Sequence, residues 1–329
     1  MKRNTTPKIY VLHENQEWVD PLFEHLEALG APYENWFLNE GHLDLSELPP
    51  EGIFYNRLSA SSHTRNHRYS IELAESVLGW LEMHHRRVIN DRRALTLEVR
   101  KTDQLLALRR FGFDAPASIM ANHPGGVRKA AEKLNQFPFI VKPNRGGKGL
   151  GVKRYNNLDQ LQTDITNNTL PDTLDGVWIV QQYVKPADSR ITRVELIGGK
   201  FYYAVSVDAS GGFELCPADA CNIGDAFCPA TPSEGVEKEE KFRLLAPYNN
   251  PDINRYEEFF KAVGIEIGAM EYALGEDGKR YIYDINTNTN YNSGAEAVLD
   301  NQWQGMRRIA EFLNYELIAN YYQNRIRVA

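Results

Sequence analysis

The chain has 329 residues, with 42% hydrophobic and 25% charged side chains, which are ordinary globular proportions. Its 37 Lys and Arg against 44 Asp and Glu leave a formal charge of −7. That balance lacks the basic footprint of a general nucleic-acid binder, and no apolar run approaches the ~18 residues of a membrane span. The apolar stretch near the N-terminus, Ile9 to Leu12, is too short for a signal peptide, so a cytoplasmic protein is expected.

KIYVLH reads as a first buried strand, followed by an amphipathic helix in WVDPLFEHLEALG that stops at Gly30. YENWFL, the turn-rich SELPPEG and the strand GIFYNRL come next. A helix in IELAESVLGWLEMHH and a short strand in RRVIN complete the alternation. Strands separated by helices predict a parallel sheet with crossover helices.

One long helix is predicted in ALTLEVRKTDQLLALRRFG, closing at Gly112. The pattern then changes to α+β. PFIVKPN and KGLGVKRY read as a hairpin around a glycine-rich loop, with a helix in NLDQLQTDITNN and a strand in WIVQQYV. RITRVELIGGKFYYAVSV reads as two strands around Gly198 and Gly199. From about Asp208 to Pro251 the chain is rich in Gly, Pro, Cys and charge, and reads as a long loop or lid. A helix in INRYEEFFKAVG, strands in IGAMEYAL and RYIYDIN, an Asn-rich turn and a C-terminal helix in QWQGMRRIAEFLNYELIANYYQNRI follow.

Cys216, Cys221 and Cys228 are the only cysteines. An odd number without a Cys-x-x-Cys pair argues against a disulfide framework or a zinc site, and reduced thiols in a loop are expected.

The densest chemical signal is FIVKPNRGGKGLGV. Lys142 precedes Arg145, Gly146, Gly147, Lys148, Gly149 and Gly151. Glycines let backbone N–H groups approach phosphate oxygens, and the cations offset their charge. The order fits neither a GxxxxGK[ST] loop nor a dinucleotide-binding turn. In RYIYDIN, Asp284 and Asn286 are two apart on a strand and share a face, and Glu271 is placed to lie opposite them across a hairpin. Three hard oxygen ligands on one face suit magnesium. Gln181, Gln182, Tyr183 and Val184 end a strand that runs into a loop with Asp188, a plausible hinge for a nucleotide base and ribose. FYNRLSASSHTRNHRYS lies at a strand end, where ligands bind in open α/β sheets. Its Arg57, Ser62, His63 and Arg65 are candidate contacts for a substrate carboxylate, arginine being suited to bidentate recognition.

In this order, Lys101, Lys142 with the glycine loop, the hinge, Arg193, and Glu271 with Asp284 and Asn286, the chain resembles the ATP-grasp superfamily. Within it the chain is similar to the RimK-like branch of glutamate and peptide carboxylate–amine ligases, from about Arg57 to Asn292. The resemblance implies an ATP-grasp fold, α/β plus α+β, with an N-terminal parallel-sheet (pre-ATP-grasp) domain over residues 1–97. A central subdomain over 98–185 and a C-terminal subdomain over 186–329 would follow. It implies that Lys101, Lys142 and residues 145–151 contact ATP, that residues 181–184 frame the adenine, and that Arg193 steadies the transferring phosphate. Glu271, Asp284 and Asn286 would hold two magnesium ions, with manganese as a substitute. Asn222 and Asn288 are candidate substrate contacts, and Gln182 stands where many relatives carry an acid. The implied activity is ATP-dependent amide formation from a small-molecule or peptide carboxylate and an amine, without nucleic acid or membrane partners, in a possible homodimer. A small-molecule kinase on the same scaffold and a non-catalytic nucleotide-binding protein are the alternatives.

Overall fold

The structure is a computed structural model and describes residues 6–147, 149–209, 242–291, 296–297 and 304–322. Lys148, Asn222, Cys216, Cys221 and Cys228 lie outside the described residues.

Strands β1 (Lys8–His13), β2 (Tyr33–Phe37), β3 (Gly52–Asn56) and β4 (Arg87–Ile89) form a parallel sheet in the order β2-β1-β3-β4. Helix α1 (Asp20–Ala28) crosses between β1 and β2, and α2 (Ser70–Met83) between β3 and β4. Side chains alternate across the sheet, so Ile9, Val11 and Tyr55 pack under α1, whereas Tyr10, Leu12 and Phe54 pack under α2. The parallel N-terminal sheet expected from the strand–helix alternation is present.

The predicted long helix is two helices. Helix α3 (Arg92–Val99) is capped by Asp91, whose carboxylate accepts from the N–H groups of Arg93 and Ala94. Arg100 is extended, at φ −116° and ψ 109°, and α4 (Lys101–Arg110) starts afresh after it. Periodicity alone does not reveal this break, because its cause is remote in sequence. The Lys101 N–H donates to the carbonyl of Asn144 at 3.1 Å, and the Thr102 N–H donates to Asn144 Oδ1 at 2.9 Å.

A second, antiparallel sheet holds β5 (Ser118–Ala121), β6 (Phe139–Pro143), β7 (Lys153–Tyr155) and β8 (Trp178–Gln182) in the order β5-β8-β6-β7. Helices α5 (Pro124–Leu134) and α6 (Leu158–Asn167) cover one face through Val127, Ala131 and Leu161. The β6–β7 pair is the expected hairpin. β5 and α5 are additions to the sequence reading. Pro124 opens α5 and the His123 ring caps it by accepting from the Gly125 N–H, a start that a Pro-Gly-Gly run disguises as a turn.

The third sheet, also antiparallel, runs β11-β10-β9-β12-β13. Its strands are β9 (Arg190–Ile197), β10 (Lys200–Asp208), β11 (Phe242–Leu245), β12 (Ile267–Leu274) and β13 (Arg280–Asn286). β11 falls within the segment read as an irregular lid, so that segment's end supplies a sheet edge. One face packs Val194, Leu196, Met270 and Ile285 against Phe259 and Phe260 of α7 (Ile253–Val263), and against Ala94, Leu97 and Leu108 of α3 and α4. Helix α8 (Gly305–Leu317) returns to the first sheet, where Ile309, Ala310 and Leu313 join the cluster under α1. The hydrophobic clusters therefore cross the boundaries read from sequence at 97/98 and 185/186.

Candidate active site

The second and third sheets face each other across a cavity of about 520 Å³. Its floor is the uncovered face of the third sheet. On β9, Arg193 alternates with the core residue Val194 and turns toward the cleft. On β12, Glu271 does the same between Met270 and Tyr272. A bulge at Glu271/Tyr272 in the β12–β13 pairing lets the consecutive residues Tyr283 and Asp284 both line the cleft, and Asn286 joins them two residues on.

These side chains form a row in which two adjacent carboxylates are flanked by a cation on each side. The Arg193 Nη1 donates to Glu271 Oε1 at 2.7 Å. Glu271 also accepts from the Tyr283 hydroxyl and from Asn286 Nδ2, both at 3.2 Å. Asp284 is the direct cross-strand neighbour of Glu271 and pairs with the Lys101 ammonium. Burial raises the Glu271 pKa, and the Asp284 charge adds to this against the pull of Arg193. Burial works against the Lys101 ammonium, but Asp284, Glu98 and Glu271 outweigh it and raise its pKa. Burial and the Lys101 charge pull Lys142 down to about 8.

Tertiary contacts bring the two lysines together. Lys142 stands on β6, two residues before Asn144, and Asn144 holds the first turn of α4 and hence Lys101. Gln104, one helical turn on, donates to the Ile285 carbonyl and accepts from its N–H, which seats β13 beside α4. The roof is the β6–β7 hairpin. A Cβ on Gly147 would lie 3.3 Å from Ser61 Cβ, so the loop lies close against the N-terminal sheet's end. Gly151 holds φ +73°, and a Cβ there would come within 3.2 Å of Pro143 Cδ.

Lys101, Lys142, Gly146, Gly147, Gly149, Gln181, Gln182, Tyr183, Val184, Arg193, Glu271, Asp284, Asn286 and Asn288 all line this one cleft. Others are spent elsewhere. Arg57 is 1% exposed and donates to Asn288 Oδ1, the Thr289 carbonyl and Asn290 Oδ1 at 3.0–3.1 Å. It holds the cleft-lining loop and has no free fork for a substrate carboxylate. Arg65 pairs with the fully buried Glu14 at 2.6 Å and lies over the Trp18 ring. His63 Nδ1 contacts the Ala60 carbonyl, and Ser62 is buried, whereas Ser59 and Ser61 line the cleft. Arg145 pairs with Glu72 of α2. Gly151 serves the turn against Pro143. Asp188 sits in an exposed turn and accepts from the Arg190 N–H. The Gln182 side chain accepts from the Ala117 N–H, so its amide braces β8 against the segment that leads into β5.

Sequence reasoning missed Trp18, Glu98 and Arg154, which also line the cleft. Glu98 accepts from the N–H groups of Ala60 and Thr287 and from the Thr287 hydroxyl, joining both walls. Its partners lie 38 and 189 residues away, so no local signal marks it. Arg154 lies 5.5 Å from the Tyr183 ring centroid, at the hinge end.

The donor set fits magnesium. Two like charges directly opposed on a ladder repel, which favours a cation between them in addition to the Arg193 and Lys101 that flank them. Among the described residues no group of three or more His, Cys, Asp or Glu is arranged to hold a metal. Two carboxylates and one amide oxygen match an ion that completes its shell with phosphate and water. Among the same residues, no helix is long and apolar enough to cross a membrane.

Residues 98–214 match the family model of the RimK-like ATP-grasp domain. That segment is similar to a RimK-like ATP-grasp domain. A probable alpha-L-glutamate ligase of Methanococcoides burtonii is 27% identical over 140 residues, which is 42% of this chain and 44% of that protein. The match thus spans less than half of that relative's length. Over nearly the whole chain the fold is similar to solved ATP-grasp structures. The ATP-grasp ligase PsnB, complexed with a minimal precursor, superposes with a TM-score of 0.64 at 17% identity, covering 95% of this chain and 100% of its own. D-cycloserine synthetase DcsG gives a TM-score of 0.62 at 17% identity over 94% and 99%. The three-sheet architecture is the ATP-grasp fold.

Proposed function

We propose that this ATP-grasp protein is an ATP-dependent carboxylate–amine ligase that forms an amide through an acyl phosphate and releases ADP and phosphate. The observation that carries this reading is one cleft in which Lys101, Lys142 and Arg193 converge with the opposed carboxylates Glu271 and Asp284 beneath a glycine-rich hairpin. Cations and hard oxygen donors in one buried space suit a polyphosphate with its metal better than any neutral ligand.

ATP fits with its base at Gln181 to Val184 and its phosphates under Gly146, Gly147 and Gly149. Glu271, Asp284 and Asn286 would hold magnesium, two ions or one, which would offset phosphate charge when bound. A substrate carboxylate attacks the γ-phosphorus and ADP leaves. The work of the side chains is to position and to balance charge, with Lys142 and Arg193 facing the developing negative charge. An amine then attacks the acyl carbon and phosphate departs. Ser59, Ser61, Asn288 and Asn290 form the wall beside this point and are the substrate contacts of the proposal. PsnB is complexed with a precursor peptide and AMPPNP in one structure and with a minimal precursor, Mg and ADP in another, whereas DcsG is a D-cycloserine synthetase. Both substrate classes therefore belong in the test.

The test is ADP release by purified protein with ATP and magnesium, against amino acids and short peptides singly and in pairs. ADP that requires both a carboxylate and an amine, with an amide found by mass, supports the ligase. ADP with one substrate and a stable phosphorylated product overturns it in favour of a kinase.

A further inference from the structure

Glu195 follows Arg193 by two residues on β9, so the two side chains share a face of the sheet. The Arg193 Nε donates to Glu195 Oε1 at 2.6 Å, and its Nη1 donates to Glu271 Oε1 at 2.7 Å. All three side chains are buried, at 6%, 2% and 7% exposure for Arg193, Glu195 and Glu271. One guanidinium is thus clasped between two carboxylates. Only Glu271 lines the cleft; Glu195 sits behind.

A buried acid is costly to keep unless it compensates a charge. Arg193 already has a carboxylate in Glu271, and in the protein as it stands a second one is redundant. It ceases to be redundant once a cation takes Glu271. Arg193 would then be a buried charge stripped of its counterion, or it would hold on to Glu271 and compete with the cation for the same oxygen. We infer that Glu195 is a positioning residue that anchors Arg193 through Nε, so that Nη1 leaves Glu271 for the phosphates when Glu271 accepts a metal ion. The geometry suits a turn about a fixed point: Nε stays, and the far end of the fork swings into the cleft that Arg193 already lines. This inference rests on the ATP and magnesium reading above, and deepens it by assigning a residue outside the cleft to the coupling between metal and phosphate.

The experiment is a magnesium titration of AMPPNP binding, read by calorimetry on the full chain, for wild type, E195A, E195Q, R193M and the two double variants. With Glu195 gone, Arg193 closes on Glu271, and the magnesium concentration for half-maximal AMPPNP binding rises by about 10-fold. E195Q keeps an acceptor for Nε, folds if E195A does not, and shifts the midpoint by only about 3-fold. In the R193M background neither substitution at position 195 moves the midpoint further, because Glu195 acts through Arg193. A merely structural Glu195 would lower the unfolding temperature without moving the magnesium midpoint, or would move it equally with and without Arg193. Either result overturns the inference while leaving the ATP reading intact. Failure of wild type to bind AMPPNP at any magnesium concentration overturns both.

Discussion

Glu271 and Asp284 oppose each other directly across the β12–β13 ladder, each with its own cation, Arg193 and Lys101. Like charges in that relationship destabilise a sheet unless a cation is intended there. Asp284→Asn keeps the shape and removes one charge. ADP formation is expected to fall by more than about 100-fold, with the fold retained by circular dichroism. Turnover near the wild-type rate in Asp284→Asn would remove the metal assignment.

With ATP seated as proposed, Lys142 is expected to make nucleotide binding pH-dependent. A lysine ordinarily titrates at 10.5, and burial beside Lys101 brings Lys142 to about 8 in the folded protein. Between those values the unfolded chain holds the extra proton, so the ligand-free protein gains stability as pH rises from about 8 toward 10.5. Bound polyphosphate favours the ammonium and reverses the preference. AMPPNP affinity should therefore fall as pH climbs through about 8, with proton uptake on binding. Lys142→Met should flatten both profiles. Calorimetry in buffers of different ionisation enthalpy reads the proton count, and zero uptake above this pH would contradict the assignment.

Arg57 ties the end of β3 to the loop that carries Asn288 and Asn290. Arg57→Met leaves three acceptors unmatched and should cost about 1.5–3 kcal/mol in urea unfolding. The KM of the non-nucleotide substrate should rise about 10- to 100-fold, while AMPPNP affinity stays within about 3-fold. Equal losses for both ligands would mean that Arg57 serves the fold as a whole and not the loop.

The glycine hairpin is sensitive at Gly151. Its φ of +73° and the proximity of Pro143 penalise any side chain. Gly151→Ala should cost about 1–2 kcal/mol locally, seen as a roughly 10-fold weaker AMPPNP affinity. A change in unfolding temperature alone, with affinity intact, would place the loop's role outside nucleotide binding.

Much of this site was legible from short-range chemistry. The D-x-N spacing of Asp284 and Asn286 is enough to put both on one strand face, because strand side chains alternate with a period of two. The glycines after Lys142 announce a loop that lets backbone N–H groups come close to a ligand. The parallel N-terminal sheet follows from strands alternating with amphipathic helices. Each of these inferences uses neighbours within a few residues, where local sterics and hydrogen bonding decide.

Which charges remain available was decided only by the tertiary structure. Arg57, Arg65 and Arg145 read alike in the sequence as cations for an anionic substrate, yet Asn288 and Asn290, Glu14, and Glu72 respectively take them up. The partners lie 51 to 233 residues away, so no window of sequence reveals them. Glu98, Glu195 and Asn144 went unnoticed for the same reason. Their importance lies in the groups they hold, namely Thr287, Arg193 and the first turn of α4. The sequence determined which chemistries the chain carries and on which local faces. Folding determined which of those groups are neutralised in pairs and which still face the cleft, because a buried charge must find its partner wherever the packed chain brings one.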